Sequence, residues 1–146
     1  MRRRDLRGGG SGAGGYIAAA SRRSPEVLLT IQVASTLAES QAHGILDPNV
    51  AWWHTPNEYK GTPQAGALRK AMGVRSGAPD FVFILGERAV LIELKSASGS
   101  LSPGQRQVRD KLDAAGGKLH VARSVSEVFG ILHRAGFMKT NPYEGR

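Results

Sequence analysis

The sequence predicts an α/β domain in which a mixed sheet is flanked by helices. Three observations carry that expectation. Two β-rich runs, Phe81-Val82-Phe83-Ile84-Leu85 and residues 89–95, are joined by Gly86-Glu87-Arg88 and read as an antiparallel hairpin. Ser24-Pro25-Glu26 and Ser102-Pro103-Gly104-Gln105 are helix starts, with serine before a proline that is pre-organised for the first helical position. Helical and extended patterns then interleave along 146 residues, a length that suits one domain.

Taken in order, residues 26–41 form the first helix. Val27, Leu28, Ile31, Ala34 and Ala38 make one apolar stripe and Leu29, Val33 and Leu37 the next, a width that predicts a well-buried helix. A loop at residues 44–49 leads to a short strand, Ala51-Trp52-Trp53-His54-Thr55, closed by Pro56. A second helix over residues 63–72 stops at Gly73, and the hairpin follows. The helix opened by Ser102 has Val108, Leu112 and Ala115 at apolar spacing and stops at Gly116-Gly117. A strand over residues 118–122 and a helix over residues 126–134, capped by Ser124 or Ser126 and ended near Gly136, complete the order. No internal repeat is present.

The chain lacks cysteine, which excludes a disulfide scaffold, cysteine-ligated zinc, an iron–sulfur cluster and a thiol nucleophile, and is compatible with a reducing cytoplasm. No apolar run approaches the roughly 20 residues that span a bilayer, so no membrane role is expected. The formal net charge of +8 points toward a polyanion. Its distribution is uneven: residues 1–24 hold six arginines against Asp5, leaving 14 basic and 11 acidic groups for the rest. Residues 8–15 read GGGSGAGG, so residues 1–23 are expected to form a flexible basic arm, residues 24–136 the folded domain and residues 137–146 a C-terminal tail. The apolar stretch after the arginines is too short for a secretory signal.

The chemistry concentrates on the hairpin. Asp80 precedes the first strand, and in Val90-Leu91-Ile92-Glu93-Leu94-Lys95 the period of two places Leu91, Glu93 and Lys95 on one face. Two charges on one face of an inner strand are costly to bury unless paired or bound to an ion. One reading is a plain ion pair on a half-exposed strand. The other is a divalent cation held by the hard oxygens of Asp80 and Glu93, with a strand backbone carbonyl such as that of Leu94 adding to the shell and Lys95 beside a phosphate.

Asp80 and the Glu93-Leu94-Lys95 triplet resemble the PD-(D/E)xK nuclease motif. The longer pattern is similar to its VRR-NUC branch in WWHTPNE (residues 52–58), MGVRSGAPDFVFIL (residues 72–85), IELK followed by SGSLSPGQ (residues 92–105), and the helix–GG–strand beyond. This resemblance spans roughly residues 26–135. It implies a restriction-endonuclease-like core and a metal-dependent DNA endonuclease using Mg²⁺, with Mn²⁺ as substitute. Asp80 and Glu93 match the family's metal-binding carboxylates and Lys95 its catalytic lysine. Glu26 matches an acidic residue on the first helix; a glutamate in a first turn also simply favours the helix dipole. Gln105 matches a glutamine after the lysine strand, and equally completes an S-x-x-Q capping box.

His54 and Asn57 lie in the shared segment and are expected on the DNA side of the site, His54 as a positioning residue, since no second histidine lies at ligand spacing. Trp52 and Trp53 point to opposite faces, so at least one is core and the other is free to stack on bases. Arg69, Lys70 and Arg75 on one side, and Arg106 and Arg109 with Lys111 on the other, read either as solvated helix faces or as phosphate contacts. Gly77 and Pro79 shape the bend that delivers Asp80. The likeness to standalone phage-type nucleases and dimeric junction resolvases implies branched DNA, a homodimer, and a phage or bacterial host cytoplasm. The alternative is a catalytically silent DNA-binding or assembly module with the same fold. RNA has no support from an RRM, KH or OB signature.

Overall fold

The computed structural model describes residues 23–56 and 61–145. The first helix, α1 (Pro25–Ala42), begins at Ser24, whose hydroxyl accepts from the Val27 amide with Pro25 at the first position. Then come β1 (Ala51–His54), α2 (Pro63–Ala71), β2 (Phe81–Leu85), β3 (Arg88–Leu94), α3 (Pro103–Ala114), β4 (Leu119–Ala122) and α4 (Val125–Arg134). This is the expected order, with ends displaced by about one residue. Ser124 is the cap of α4, accepting from the Glu127 amide.

The sheet runs β1-β2-β3-β4. β1 and β3 pair antiparallel with β2, while β4 pairs parallel with β3, so the sheet is mixed and β3 is an inner strand. The hairpin turns at Gly86, whose φ of 61° is a left-handed conformation suited to glycine. In the β2–β3 register Phe81 opposes Ile92 and Phe83 opposes Val90, which gathers the large apolar groups on one face. Val33 and Leu37 of α1 and Val128, Phe129 and Leu132 of α4 close over that face as one core. The burial of these groups is the main stabilising term. Residues of the opposite face, Glu93 among them, look toward α3.

Two expectations are corrected. The breadth of apolar pattern on α1 does not produce an enclosed helix: Ile31 is 43% exposed and Ala38 is exposed, while Val33 and Leu37 are buried. The helix turns its Leu29, Val33 and Leu37 stripe to the core, and among the described residues no element faces the stripe of Ile31 and Ala38. Residues 137–145 do not trail from the domain as a tail. Phe137 and Met138 are buried, Met138 bridges to Leu46, and the Phe137 carbonyl accepts from the Asp47 amide. The turn at Gly136, with φ of 78°, sends the chain back across the core. The expected arm, up to residue 22, lies outside the described residues, and so does Asn57.

Candidate active site

The hairpin register explains why Asp80 and Glu93 meet. Phe81 opposes Ile92, so one step further along the antiparallel pair Asp80 falls opposite Glu93, on the face away from the core. Asp80 is fixed on both sides. Its Oδ2 accepts from the Leu94 amide at 2.7 Å, and its carbonyl accepts from the Thr55 amide at 2.7 Å. His54 Nδ1 lies 2.8 Å from that same carbonyl, with the ring 5.2 Å from the Phe81 ring. His54 therefore anchors the backbone of Asp80.

Glu93 is 2% exposed, and its two oxygens are treated differently. Oε1 accepts from Gln105 Nε2 at 2.5 Å and lies 3.2 Å from Lys95 Nζ. Oε2 is buried without a hydrogen-bond partner among the described residues. Removal from water and the neighbouring Asp80 carboxylate push Glu93 up to about 7, against the pull of Lys95. Asp80 is raised too, chiefly by burial and against the Leu94 amide bond and the charges of His54 and Lys95. Two facing carboxylates in such a site repel when both are ionised, and a shared proton or a bound cation relieves that repulsion. The orphaned Oε2 and the hard oxygen donors fit a divalent cation. Lys95, 7% exposed, confirms that strand alternation brings the Glu93 and Lys95 side chains together.

Gln105 makes the capping box and also reaches the Glu93 carboxylate. Its Oε1 accepts from the Ser102 amide at 2.8 Å and its own amide donates to Ser102 Oγ at 3.3 Å, a complete capping box, while Nε2 reaches Glu93. Glu26 is half-buried and its Oε1 accepts from the Ser96 amide at 3.4 Å, one residue beyond Lys95. It does not close a three-membered set with the other carboxylates: among the described residues no three histidine, aspartate or glutamate side chains converge as metal ligands.

The expected phosphate contacts divide. Arg69, Lys70 and Arg75 line a cleft between α2 and α3. Arg106 donates to the Leu101 carbonyl at 2.7 Å and Arg109 pairs with Asp110 at 3.0 Å, so both are engaged within α3 and its approach. Trp53 is 49% exposed, whereas Trp52 packs on Phe81 and Phe83 and donates to Gln41 Oε1 at 3.1 Å.

Arg123 was not legible in the sequence as a site residue. Its guanidinium donates to the Ser96 carbonyl and, at 2.8 Å, to the Gly99 carbonyl. It thereby holds the loop whose Ser96 amide meets Glu26. It stands between a strand end and a helix cap, where nothing in residue spacing marks such a clamp.

Among the described residues no helix is long and apolar enough to cross a membrane. None of the curated proteins matches the chain. A solved structure titled "VRR_NUC domain protein" is similar in fold: 20% of aligned residues are identical, 77% of this chain and 88% of that one are covered, and the TM-score is 0.57. Residues 38–126, more than half of the chain, match the VRR-NUC domain. That span holds Asp80, Glu93, Lys95 and Gln105 but not Glu26. The chain belongs to the VRR-NUC domain family, and with that membership goes a nuclease-type function.

Proposed function

We propose that this protein is a metal-dependent DNA endonuclease of the PD-(D/E)xK type. The reading includes a standalone phage-type enzyme, a homodimer acting on branched DNA in the host cytoplasm, with a nuclease domain that starts at residue 24 and takes in the packed Phe137 and Met138, and residues 1–23 as an accessory basic arm. The observation that carries the catalytic part is the buried Glu93 carboxylate beside Asp80, with Lys95 at one oxygen and the other, Oε2, without a hydrogen-bond partner among the described residues.

Asp80 and Glu93 would hold the cation, joined by the Leu94 carbonyl, with Glu26 as a further acidic group nearby. When bound, Mg²⁺, or Mn²⁺ in its place, supplies Lewis acidity toward the phosphate. The chain's own groups do the rest. Lys95 places a positive charge beside the reacting phosphate, where charge grows as water adds to phosphorus and the bond to the 3′ oxygen breaks. The products are a 5′ phosphate and a 3′ hydroxyl. Gln105 holds the Glu93 carboxylate in one orientation, and His54 and the Thr55 amide hold Asp80 through its carbonyl. Arg69, Lys70, Arg75, Arg106 and Arg109, with His54 and Asn57, supply the nucleic-acid side.

The test is cleavage of synthetic duplex, flap and four-way-junction DNA with Mg²⁺, with Mn²⁺ and with chelator. Metal-dependent hydrolysis lost in Asp80→Asn and Glu93→Gln is the expected result, with the junction cut preferentially. Undiminished hydrolysis in chelator overturns the mechanism. A folded, DNA-binding protein that cuts none of the substrates favours the silent module.

A further inference from the structure

The cleft between α2 and α3 measures about 780 Å³. On α2 it is lined by Gly66, Arg69 and Lys70, at i, i+3 and i+4, and just past the end of that helix by Gly73; on α3 Gly104, Gln107, Val108 and Lys111 stand at i, i+3, i+4 and i+7. Each set is therefore one stripe of one helix, and the two stripes face each other. Facing stripes of a globular protein are normally apolar and in contact. Here Val108 is the one apolar side chain in the two stripes, the rest being glycine, basic or amide, and space remains between them. Arg75 adds a further positive charge, and among the described residues no acidic group lines the cleft. Like charges facing across a gap repel, and a polyanion between them removes that repulsion.

The cleft adjoins the active site through the first turn of α3. Gly77, with φ of 84°, is packed so tightly on the first turn of α3 that a Cβ there would lie 2.5 Å from the Gly104 carbonyl carbon. Gly104 lines the cleft and the next residue, Gln105, bonds Glu93. From Gly104 to Lys111 the helix rises about 10 Å, which matches roughly three nucleotides of one strand.

We propose that this cleft takes the sugar–phosphate backbone of the DNA strand flanking the scissile bond, gripped from both walls by Lys70 and Arg75 on one side and Lys111 on the other. The proposal rests on the nuclease reading for its choice of DNA, but its test does not depend on cleavage.

Full-length Asp80→Asn protein is titrated with fluorescent single-stranded and duplex DNA across a salt series, alone and with Lys70→Ala, Lys111→Ala or both added. Each lysine variant is expected to make the log–log salt slope shallower by about 0.9 on duplex and about 0.7 on single strands, and the double variant by about 1.8 and about 1.4. Lys118→Ala, next to β4 at the far edge of the sheet, should leave the slope unchanged. Slopes unaltered by the Lys70 and Lys111 variants overturn the proposal, as does an equal loss with Lys118→Ala, which would mean a diffuse charge effect. If the wild-type chain cuts no DNA yet the slope responds as stated, the cleft stands and the catalytic reading falls. If it cuts DNA and the slopes do not respond, the reverse holds.

Discussion

The side-chain amide of Gln105 closes the N-terminus of α3 with its oxygen and holds Glu93 with its nitrogen, 2.8 Å from the Ser102 amide and 2.5 Å from Glu93 Oε1. One rotamer thus ties a helix end to the buried carboxylate of the site, and the capping bond orients the group that touches Glu93.

The two duties separate by mutation. Ser102→Ala removes the hydroxyl that accepts from the Gln105 amide and should cost about 1 kcal/mol of stability. It leaves the Ser102 backbone amide that orients Gln105, so cleavage by the folded protein should change less than threefold. Gln105→Ala should cost a similar amount of stability and lower the cleavage rate at least tenfold. Melting curves and initial rates on one substrate check both, and equal rate losses would reduce Gln105 to a cap.

The raised Glu93 sets a pH dependence. The unfolded side chain titrates at 4.5 and the folded one at about 7. In metal-free protein this group's contribution to stability is therefore full below 4.5 and is lost as pH rises to about 7. A cation at the pair must displace the proton, so its apparent affinity should weaken by up to about tenfold per unit as pH falls below 7. Mg²⁺ should accordingly raise the melting temperature more at pH 8 than at pH 6. Equal shifts at both would remove the pair as the cation site.

Lys95 pulls Glu93 downward, against burial and Asp80. Lys95→Met should move the Glu93 titration further above 7, shifting the pH at which Mg²⁺ affinity falls upward with it. It should also slow cleavage by about 10²–10³, the usual loss on removing one group that stabilises developing charge. Carboxyl-detected NMR titration and single-turnover rates measure the two effects.

Gly77 and Gly86 both have positive φ, but only Gly77 has neighbours in the way of a Cβ. Gly86→Ala should cost about 1–2 kcal/mol, the conformational strain alone. Gly77→Ala adds a clash with the backbone of Gly104 and Gln105 and should cost more while displacing the Gln105 amide from Glu93. A lower melting temperature with slower cleavage is the expected pair for Gly77→Ala; Gly86→Ala should keep the rate of wild type.

The local features of this protein were legible in its residues because their causes are local. Alternation in Leu91-Ile92-Glu93-Leu94-Lys95 determines which side chains share a face, and Ser102 with Gln105 determines a helix start, whatever the rest of the chain does. Asp80, Glu93 and Lys95 as one cluster follow from a hairpin whose strands are adjacent in sequence. Tertiary structure decided what depends on distant partners. Ile31 and Ala38 look like core on a helical wheel and lie exposed because no element among the described residues covers that side of α1, whereas Phe137 and Met138 follow a helix stop and are buried because the chain returns to Leu46. Arg123 became a clamp because parallel pairing of β3 with β4 brings it to the loop after Lys95. Likewise, the stripes of α2 and α3 became a basic cleft when Gly77 met Gly104. Such contacts join residues tens of positions apart, and neither period nor cap records them, because their energy exists only once the sheet has brought the elements together.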